Sequence, residues 1–456
     1  MLFKTTAWKH QQEALEFCFD RIHSLLHMGM GTGKSKVVVD LVVNKEHQSV
    51  LILCPVSVMN VWPREFDRHA AKPVHVLVLN KGSVAEKVKR AQQFVERNKP
   101  AVVVINYESA WRPEFAEWAR NKQPPWDLVV LDESQRIKSP TGKASKFCDR
   151  LRVNARQRLC LTGTPMPHSP LDIFAQLRFL NPQVFGKWYT HFRAQYAVTN
   201  PMFPSQVSKW INQDELAAKV ATVTYQVGSE VLDLPPVLHE EIPVELCPKA
   251  MKAYRDLEED LIAEVDLGTI SVANALVKLL RLQQLTGGAV QLDDGALVEV
   301  DTAKADALLD LAEDIPATEP IVVFCRFRRD LATVAKVAKA LERRYGELSG
   351  ERKDLTDKAE MPADVDMMGV QVQSGGVGID LTRAAYVIYF SLGYSLGDYL
   401  QSLARSHRPG QDRTVRYYHL VATGTVDQAV YGALEKRKAV VEYVLENYKK
   451  REVMNV

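Results

Sequence analysis

The sequence has few cysteines and no paired arrangement of them. Its 456 residues include 6 cysteines, at positions 18, 54, 148, 160, 247 and 325, with no Cys-x-x-Cys pair and no histidine at a zinc-ligand spacing. This pattern disfavours a disulfide framework or a structural zinc site. We expect reduced, mostly buried thiols, as in a cytosolic protein.

Long apolar runs and a strong net charge are also missing. No apolar run approaches the 18 residues of a membrane span, and the first residues have no basic region followed by an apolar stretch. We therefore expect no membrane contact and a cytoplasmic protein. The formal net charge is only +2, so any contact with nucleic acid must come from local basic stripes.

Length and periodicity predict two tandem α/β domains. The composition is globular, with 46% hydrophobic and 25% charged residues, and the chain exceeds one ordinary core. Short valine-rich runs alternate with helix-length segments, which predicts parallel sheets covered on both faces. The runs are 24–28, 50–54, 74–79, 101–105, 128–131 and 158–162, then 321–325, 367–372, 386–390 and 415–420.

An aromatic-rich segment, 183–231, interrupts this alternation, and we predict a domain boundary near residue 232. The segment is more typical of a small packed insertion than of a platform for stacking bases, which is the alternative. The predicted domains are 1–232 and 233–456. The second is entered through helices at about 248–266 and 271–285 and ends in a charged helix at about 425–449.

The first chemical signal is a glycine-rich turn, Met28-Gly-Met-Gly-Thr-Gly-Lys-Ser35, between an apolar strand and a helix. Glycines let backbone N–H groups face an anion, and the helix N-terminus adds positive potential. Lys34 can reach the outer phosphates and Ser35 can hold Mg²⁺. The predicted nucleotide contacts are Gly29, Gly31, Thr32, Gly33, Lys34 and Ser35. Because the strict pattern has glycine at position 28, a plain glycine-rich turn is the alternative.

An acidic pair, Asp132 and Glu133, ends the run 128–131. Open α/β sheets bind ligands at this end of their strands. Asp132 suits a Mg²⁺ held mainly through water, and Glu133 suits orienting the water that attacks the γ-phosphate. A helix cap or a solvated edge is the alternative. Leu161-Thr-Gly-Thr-Pro165, at another strand exit, has hydroxyls that could sense the γ-phosphate.

Two further signals lie in the second half. A glycine-rich loop, 373–380, leaves a strand and suits close approach to phosphate. Arg405 and Arg408 stand three residues apart, on one face of a predicted helix end. They could stabilise the charge that develops on a transferred phosphate, although a solvated face is the alternative.

Taken in order, these segments resemble the Swi/Snf-type ATPases of helicase superfamily two. Trp8-Lys-His-Gln11 resembles an adenine-reading segment, and 53–66 and 105–108 resemble successive DNA-contact segments. The most specific stretches are 132–140, 161–174, 401–411 and 424–427.

The chain departs from the usual family pattern at four places. Ser134-Gln135 replaces Ala-His after the acidic pair, which is a position that helps couple phosphate state to DNA. His168 and Asp380 stand where asparagine is common, and Met28-Gly29 replaces an acidic pair.

The resemblance implies two tandem RecA-like lobes with small insertions, bridged by ATP and Mg²⁺, that move along double-stranded DNA without separating its strands. Beyond the residues above, it assigns nucleotide contacts to Gln11, Gly378, Asp380 and Gln401. Candidate DNA contacts are Lys138, Arg326 and Arg328, each of which could equally be a solvated charge. We expect a monomer that acts on DNA-bound proteins, associated with the nucleoid of a bacterial or virus-infected cell.

Two other functions remain open from the sequence. One is a strand-separating helicase of the same superfamily. The other, motivated by Ser134-Gln135, is a nucleotide-gated DNA-binding module with weak ATPase activity.

Overall fold

A computed structural model describes residues 1–200, 207–266, 272–291, 297–357, 359–373 and 379–436. They form two compact units, Met1–Leu232 and Asp233–Lys436, each with its own parallel sheet. The predicted fold class, two tandem parallel-sheet α/β lobes, is confirmed. In the described part of the chain, no helix has the length and apolar character required to cross a bilayer.

The first unit contains nine strands and ten α-helices among its described residues. The strands are β1 (His23–Met28), β2 (Ser49–Cys54), β3 (His75–Val78), β4 (Ala101–Asn106), β5 (Trp126–Asp132), β6 (Ala155–Thr162), β7 (Ala197–Thr199), β8 (Val207–Trp210) and β9 (Thr224–Val227). The helices are α1 (Lys9–Phe19), α2 (Lys34–Asn44), α3 (Val61–His69), α4 (Val84–Arg97), α5 (Tyr107–Ala110), α6 (Pro113–Asn121), α7 (Lys143–Leu151), α8 (Ile173–Leu180), α9 (Tyr189–Tyr196) and α10 (Gln213–Ala221).

Seven of these strands form one sheet in the order β3-β4-β2-β5-β6-β1-β9, with every pairing parallel. All residues of β2 and β4 are buried, which explains their continuous apolar runs. The carboxyl ends of β5, β6 and β1 lie side by side. Asp132 lies opposite Leu161, and Thr162 lies opposite His27. The sheet order therefore brings three loops together that are far apart in sequence.

The aromatic segment is partly an insertion and partly sheet. Phe192 packs its ring centroid 4.8 Å from that of Phe185 and 5.0 Å from that of Tyr196. Trp188, in contrast, is 68% exposed. The predicted insertion, 183–231, extends too far, because β9 pairs with β1 as the edge strand of the main sheet. β9 is only four residues long and mostly half-buried, so it lacks the apolar run that marks a central strand.

The described residues of the second unit form eight strands, five helices and a helical segment at their C-terminal end. The strands are β10 (Val237–Val244), β11 (Ala289–Gln291), β12 (Leu297–Glu299), β13 (Ile321–Cys325), β14 (Tyr345–Leu348), β15 (Met367–Gln371), β16 (Tyr386–Tyr389) and β17 (Val415–Ala422). The helices are α11 (Pro248–Asp266), α12 (Val272–Thr286), α13 (Ala303–Glu313), α14 (Arg328–Ala340) and α15 (Leu396–Ser406). Residues 426–436 are also helical. The rest of the C-terminal helix predicted at 425–449 lies outside the described residues.

Six of these strands form the second sheet, in the parallel order β10-β17-β16-β13-β15-β14. Its core is apolar and includes Leu308, Val323, Val334, Ile388 and Leu420. The sequence analysis did not predict β10 or β14. β10 is almost fully exposed, and β14 has only four residues, so both are edge strands without a continuous apolar run.

A buried ion pair lies at the carboxyl ends of β16 and β17. Lys304 Nζ is 2.5 Å from Asp427 Oδ2 and donates to the Phe390 carbonyl at 3.0 Å. Asp427 also accepts from the Thr286 hydroxyl and the Ala422 N–H, at 3.0 and 3.2 Å. Since both charged side chains are nearly inaccessible, each depends on the other for compensation.

We predict that Lys304→Met destabilises the second unit by about 3–5 kcal/mol, because the Asp427 charge is left buried without its partner. Urea unfolding would measure this loss. Lys219→Met is the matched control, since Lys219 forms a solvent-exposed pair with Glu215 at 2.8 Å. An equal loss of stability in both variants would contradict the importance of the buried pair.

Candidate nucleotide site

The glycine-rich turn joins β1 to α2 and forms a narrow backbone cradle. Gly29 donates its N–H to the Val227 carbonyl at 2.8 Å. A β-carbon at this position would lie 2.4 Å from Ser229 Oγ, so only glycine fits. Gly31 has φ +81°, a left-handed conformation that favours glycine. The turn is therefore shaped by its glycines and by the residues that follow β9.

Gly33 is the N-cap residue of α2 and has φ +83°. No side chain caps this helix, so its first N–H groups remain available to an anion. Gln11 donates from Nε2 to the Thr32 carbonyl at 3.0 Å, and His10 Nε2 lies 2.9 Å from the same oxygen. A β-carbon on Gly33 would come within 2.3 Å of Gln11 Nε2. The predicted adenine-reading segment thus also supports the turn.

Lys34 and Ser35 lie in the first turn of α2 and are partly exposed. Lys34 Nζ donates to the carbonyls of Met28 and Gly29, at 2.8 and 3.1 Å. Thr32 is fully buried and donates its hydroxyl to the Gly29 carbonyl at 2.7 Å. The ammonium therefore lies over the cradle, while Thr32 maintains its shape.

Asp132 ends β5 and is oriented by neighbouring segments. Trp62, on α3, donates its indole N–H to Asp132 Oδ2 at 3.2 Å, and the Tyr107 hydroxyl donates to the Asp132 carbonyl at 2.8 Å. Burial, and then the adjacent Glu133 carboxylate, raise the pKa of Asp132 to about 7. The Lys34 ammonium and the Trp62 indole act in the opposite direction. A nearby cation would stabilise the ionised carboxylate.

Glu133 is buried and adopts a left-handed backbone conformation, with φ 52°. Gln135 donates from Nε2 to Glu133 Oε2 at 2.7 Å and accepts the Thr162 hydroxyl on Oε1, also at 2.7 Å. Thr162 Oγ1 in turn accepts the Thr164 N–H at 2.9 Å. One amide thus links the acid that follows β5 to the loop that follows β6.

A second amide bridge lies beside the first. Ser134 donates its hydroxyl to Gln176 Oε1 at 2.7 Å, and Gln176 Nε2 donates to the Pro165 carbonyl at 2.7 Å. Ser134 and Gln176 are fully buried. The unusual Ser134-Gln135 pair is therefore integrated into the contacts between the two loops.

The predicted residues of the second unit lie along one segment and the end of α15. Arg408 donates from Nη1 to the Ile379 carbonyl at 3.1 Å, and its Nε is 3.8 Å from Asp380 Oδ2. Arg405 accepts the Leu381 N–H on its carbonyl at 3.0 Å, and its side chain is buried. Gln401 is on α15 and partly exposed. Gly378 lies outside the described residues.

One detail of that prediction is wrong. Arg405 and Arg408 do not share a face of one helix end, because α15 ends at Ser406 and His407 has non-helical dihedral angles. Pro409, directly after Arg408, makes continuation of the helix unfavourable. Their common neighbour is the segment 379–381 instead.

The three predicted DNA contacts have intramolecular neighbours. Lys138 lies close enough to Asp172 to counteract the rise in the pKa of that carboxyl, which burial causes. Arg326 donates to Gln283 Oε1, and Arg328, which is largely exposed, pairs with Glu351. These contacts are all within the protein. A role for these three side chains in DNA binding is therefore a proposal.

Sequence analysis did not predict several contacts that the fold brings to these loops. The residues that make them are His10, Trp62, Tyr107, Gln135, Gln176 and Ser229. His10, Trp62 and Tyr107 lie in segments that were predicted to read adenine or to contact DNA, and Gln135 was noted only as a departure beside the acidic pair. The other contacts join positions far apart in the chain, so no local pattern indicates them.

Fold and site together define a class of protein. The carboxyl ends of three neighbouring strands, β5, β6 and β1, carry an acidic pair, a hydroxyl-bearing loop and a glycine-rich turn with its lysine. Backbone N–H groups and an ammonium can hold phosphates, and one carboxylate with a serine hydroxyl suits a hard cation that keeps several waters. These are the elements of a phosphate-loop nucleoside triphosphatase.

Comparison with known families narrows this class. The SNF2-related domain matches residues 10–287, and the helicase conserved C-terminal domain matches residues 303–410. The chain belongs to the SNF2-related family and is a helicase-like ATPase, as the sequence motifs predicted.

Individual relatives are distant. Putative protein p41 of Acyrthosiphon pisum secondary endosymbiont phage 1 is 24% identical, over 97% of this chain and 98% of that protein. The human DNA annealing helicase and endonuclease ZRANB3 is 24% identical over 92% of this chain, which spans only 39% of that protein. The Sulfolobus solfataricus SWI2/SNF2 ATPase core in complex with dsDNA is 21% identical, with a TM-score of 0.44 over 97% of this chain and 93% of that one.

We predict that Gly33→Ala weakens nucleotide binding at least about 10-fold, because the new methyl group displaces the Gln11 amide. Titration with a fluorescent nucleotide would measure this. Gly186→Ala is the matched control: Gly186 also has positive φ, +79°, but no atom lies within 4 Å of its β-carbon position. Both variants should lose about 1–2 kcal/mol of stability. Equal nucleotide affinity in both would refute the steric argument.

Proposed function

We propose that this protein is a Mg²⁺-dependent, DNA-stimulated ATPase that translocates along double-stranded DNA without separating the strands. Movement of this kind would displace proteins from DNA or remodel branched and annealed structures. Family membership supports ATP hydrolysis. Two relatives support a DNA motor by their names: ZRANB3, and the putative ATP-dependent helicase/translocase YwqA of Bacillus subtilis, which is 24% identical over 87% of this chain.

Most of the proposed hydrolytic machinery lies in the first unit, and two arginines come from the second. Lys34 and the N–H groups of the glycine turn bind phosphates, while Ser35 and Asp132 hold Mg²⁺. Mg²⁺ would neutralise phosphate charge when bound. Glu133 orients the attacking water through the carboxylate oxygen that Gln135 does not occupy. Arg405 and Arg408 stabilise the charge that develops on the transferred phosphate.

Gln11 is proposed to recognise adenine, although both ends of its amide already have partners. Nε2 donates to the Thr32 carbonyl, and Oε1 accepts the Trp8 N–H at 3.0 Å. Because the amide has a second N–H and its oxygen a second lone pair, the base can bind to these while both existing bonds persist. Gly378, Asp380 and Gln401 remain proposed nucleotide contacts of the second unit.

The observation that carries the proposal of a motor is the amide bridge from Glu133 through Gln135 to Thr162. A motor must transmit the state of the γ-phosphate from the hydrolytic acid to other segments. Three hydrogen bonds join Glu133, through Gln135 and Thr162, to the loop after β6. We propose that Gln135 provides this connection, at the position where the family usually has histidine.

Duplex DNA is the proposed partner, bound through its backbone. Lys138, Arg326 and Arg328 are the candidate phosphate contacts. The exposed pair of Arg328 with Glu351 contributes little stability, so the guanidinium can exchange its partner for a phosphate at low cost. Contacts of this kind are tolerant of sequence and sensitive to salt. We further propose that the protein acts as a monomer on DNA-bound proteins in a bacterial or phage-infected cell.

We predict that duplex DNA stimulates the ATPase activity strongly and that ATP drives displacement of a triplex-forming strand from duplex DNA. Both follow because a translocating enzyme hydrolyses ATP productively only while it moves along its track. Steady-state phosphate release with and without DNA, and a gel assay of the triplex, measure the two effects.

A forked duplex in the same gel assay separates this proposal from its rivals. Robust strand separation would favour a helicase of the same superfamily. Slow hydrolysis that duplex DNA does not change, with an intact triplex, would indicate a nucleotide-gated binding module. Either outcome overturns the translocase proposal.

We predict that Lys34→Ala lowers ATP turnover at least about 100-fold while the fold persists, because one side chain supplies the ammonium at the phosphates. Lys45→Ala is the matched control on the same helix: Lys45 is the C-cap residue of α2 and donates to the Phe19 carbonyl at 2.6 Å. Phosphate release and circular dichroism compare the two. Turnover like that of the wild type in Lys34→Ala would refute the assigned role.

A further inference from the structure

We infer that Trp62 is a positioning residue for Asp132, which it holds in the orientation that the carboxylate needs to bind Mg²⁺, and that Tyr107 anchors the same strand end. This inference rests on the proposed function in one respect, the assignment of Asp132 to the metal. The hydrogen bonds themselves are features of the described structure.

The contact of Trp62 with Asp132 is direct and buried. The indole N–H donates to Oδ2 at 3.2 Å, and Trp62 is only 2% exposed. Its ring lies 6.3 Å from that of Phe66 on the same helix, and Phe66 is also 2% exposed, so burial restrains the indole. Oδ2 is therefore directed toward the indole.

Tyr107 restrains the backbone of the same residue from another segment. Its hydroxyl donates to the Asp132 carbonyl at 2.8 Å, and the side chain is 2% exposed. Trp62 follows β2 and Tyr107 follows β4, and these two strands are consecutive in the sheet order next to β5. Two donors from separate loops thus converge on one residue, on its carboxylate and its carbonyl.

Both donors are neutral, which suits a positioning role. A lysine or arginine at the same place would compete with a divalent cation for the carboxylate, whereas an indole N–H orients it and adds no charge. Mutation of a side chain that hydrogen-bonds a metal-ligating carboxylate typically lowers metal affinity or activity by about 10- to 100-fold. Any displacement of α3 would change the orientation of the Asp132 carboxylate through this bond.

The test is the Mg²⁺ dependence of nucleotide binding by Trp62→Phe, which keeps an aromatic ring but removes the donor. We expect the Mg²⁺ concentration for half-maximal binding of a fluorescent ADP analogue to rise about 10- to 100-fold. Binding in EDTA should remain as in the wild type. Saturating Mg²⁺ should restore most of the ATPase activity, which a general packing defect would not allow.

Trp126→Phe is the matched control. Trp126 is fully buried at the other end of β5 and donates its indole N–H to the Ala119 carbonyl at 3.0 Å. This variant also loses a buried indole hydrogen bond, but its Mg²⁺ dependence should match the wild type. Equal Mg²⁺ dependence in Trp62→Phe and the wild type would overturn the inference.

Tyr107→Phe keeps the inference testable if Trp62→Phe does not fold. It removes one hydroxyl, and we expect a shift in Mg²⁺ dependence of about 3- to 10-fold, because the bond reaches the carbonyl and not the carboxylate. An unchanged Mg²⁺ dependence would overturn the anchoring role. If binding to the wild type does not depend on Mg²⁺, the proposed metal site fails instead, which is a distinguishable result.

Discussion

The order of the strands β2-β5-β6-β1 determines where the chemistry of the first unit lies. Parallel pairing brings the carboxyl ends of these strands to one edge, and the register places Asp132 and Thr162 at nearly the same level as the end of β1. If β6 were shifted by one residue, Thr162 would point to the other face and its hydrogen bond to Gln135 would be lost. The glycine-rich turn, the acids and the loop after Thr162 therefore lie together only in this register.

Burial and the adjacent Glu133 carboxylate both disfavour the ionised form of Asp132. Both carboxylates accept hydrogen bonds from neutral donors. The Trp62 indole donates to Asp132, and the Gln135 amide donates to Glu133. The Lys34 ammonium acts in the opposite direction to burial and lowers the pKa of Asp132. A bound divalent cation would act in the same way as this ammonium, which is consistent with the proposed Mg²⁺ site. Glu133 also adopts a left-handed backbone conformation, which costs about 1–3 kcal/mol of conformational free energy. Its hydrogen bond from Gln135 helps to offset this cost.

The second unit follows a related principle with different residues. Lys304 and Asp427 tie together the carboxyl ends of β16 and β17, and Arg408 contacts the segment 379–381. In this unit too, apolar residues fill the body of the sheet, and the Lys304–Asp427 pair lies where β16 and β17 end.

How much could be read from the sequence depends on the range of each interaction. The local signals sufficed for the two tandem parallel sheets, the central strands, the glycine turn before α2 and the acidic pair after β5, because apolar periodicity and turn residues act over a few positions. The edge strands β9, β10 and β14 have no such signal, and the end of α15 before Arg408 was missed. The tertiary structure alone decided that Trp62 and Tyr107 meet Asp132, and that Gln135 joins Glu133 to Thr162. Except for the short step from Glu133 to Gln135, these bonds cross 25 to 70 positions of chain, and only strand order and register bring their atoms within hydrogen-bonding distance.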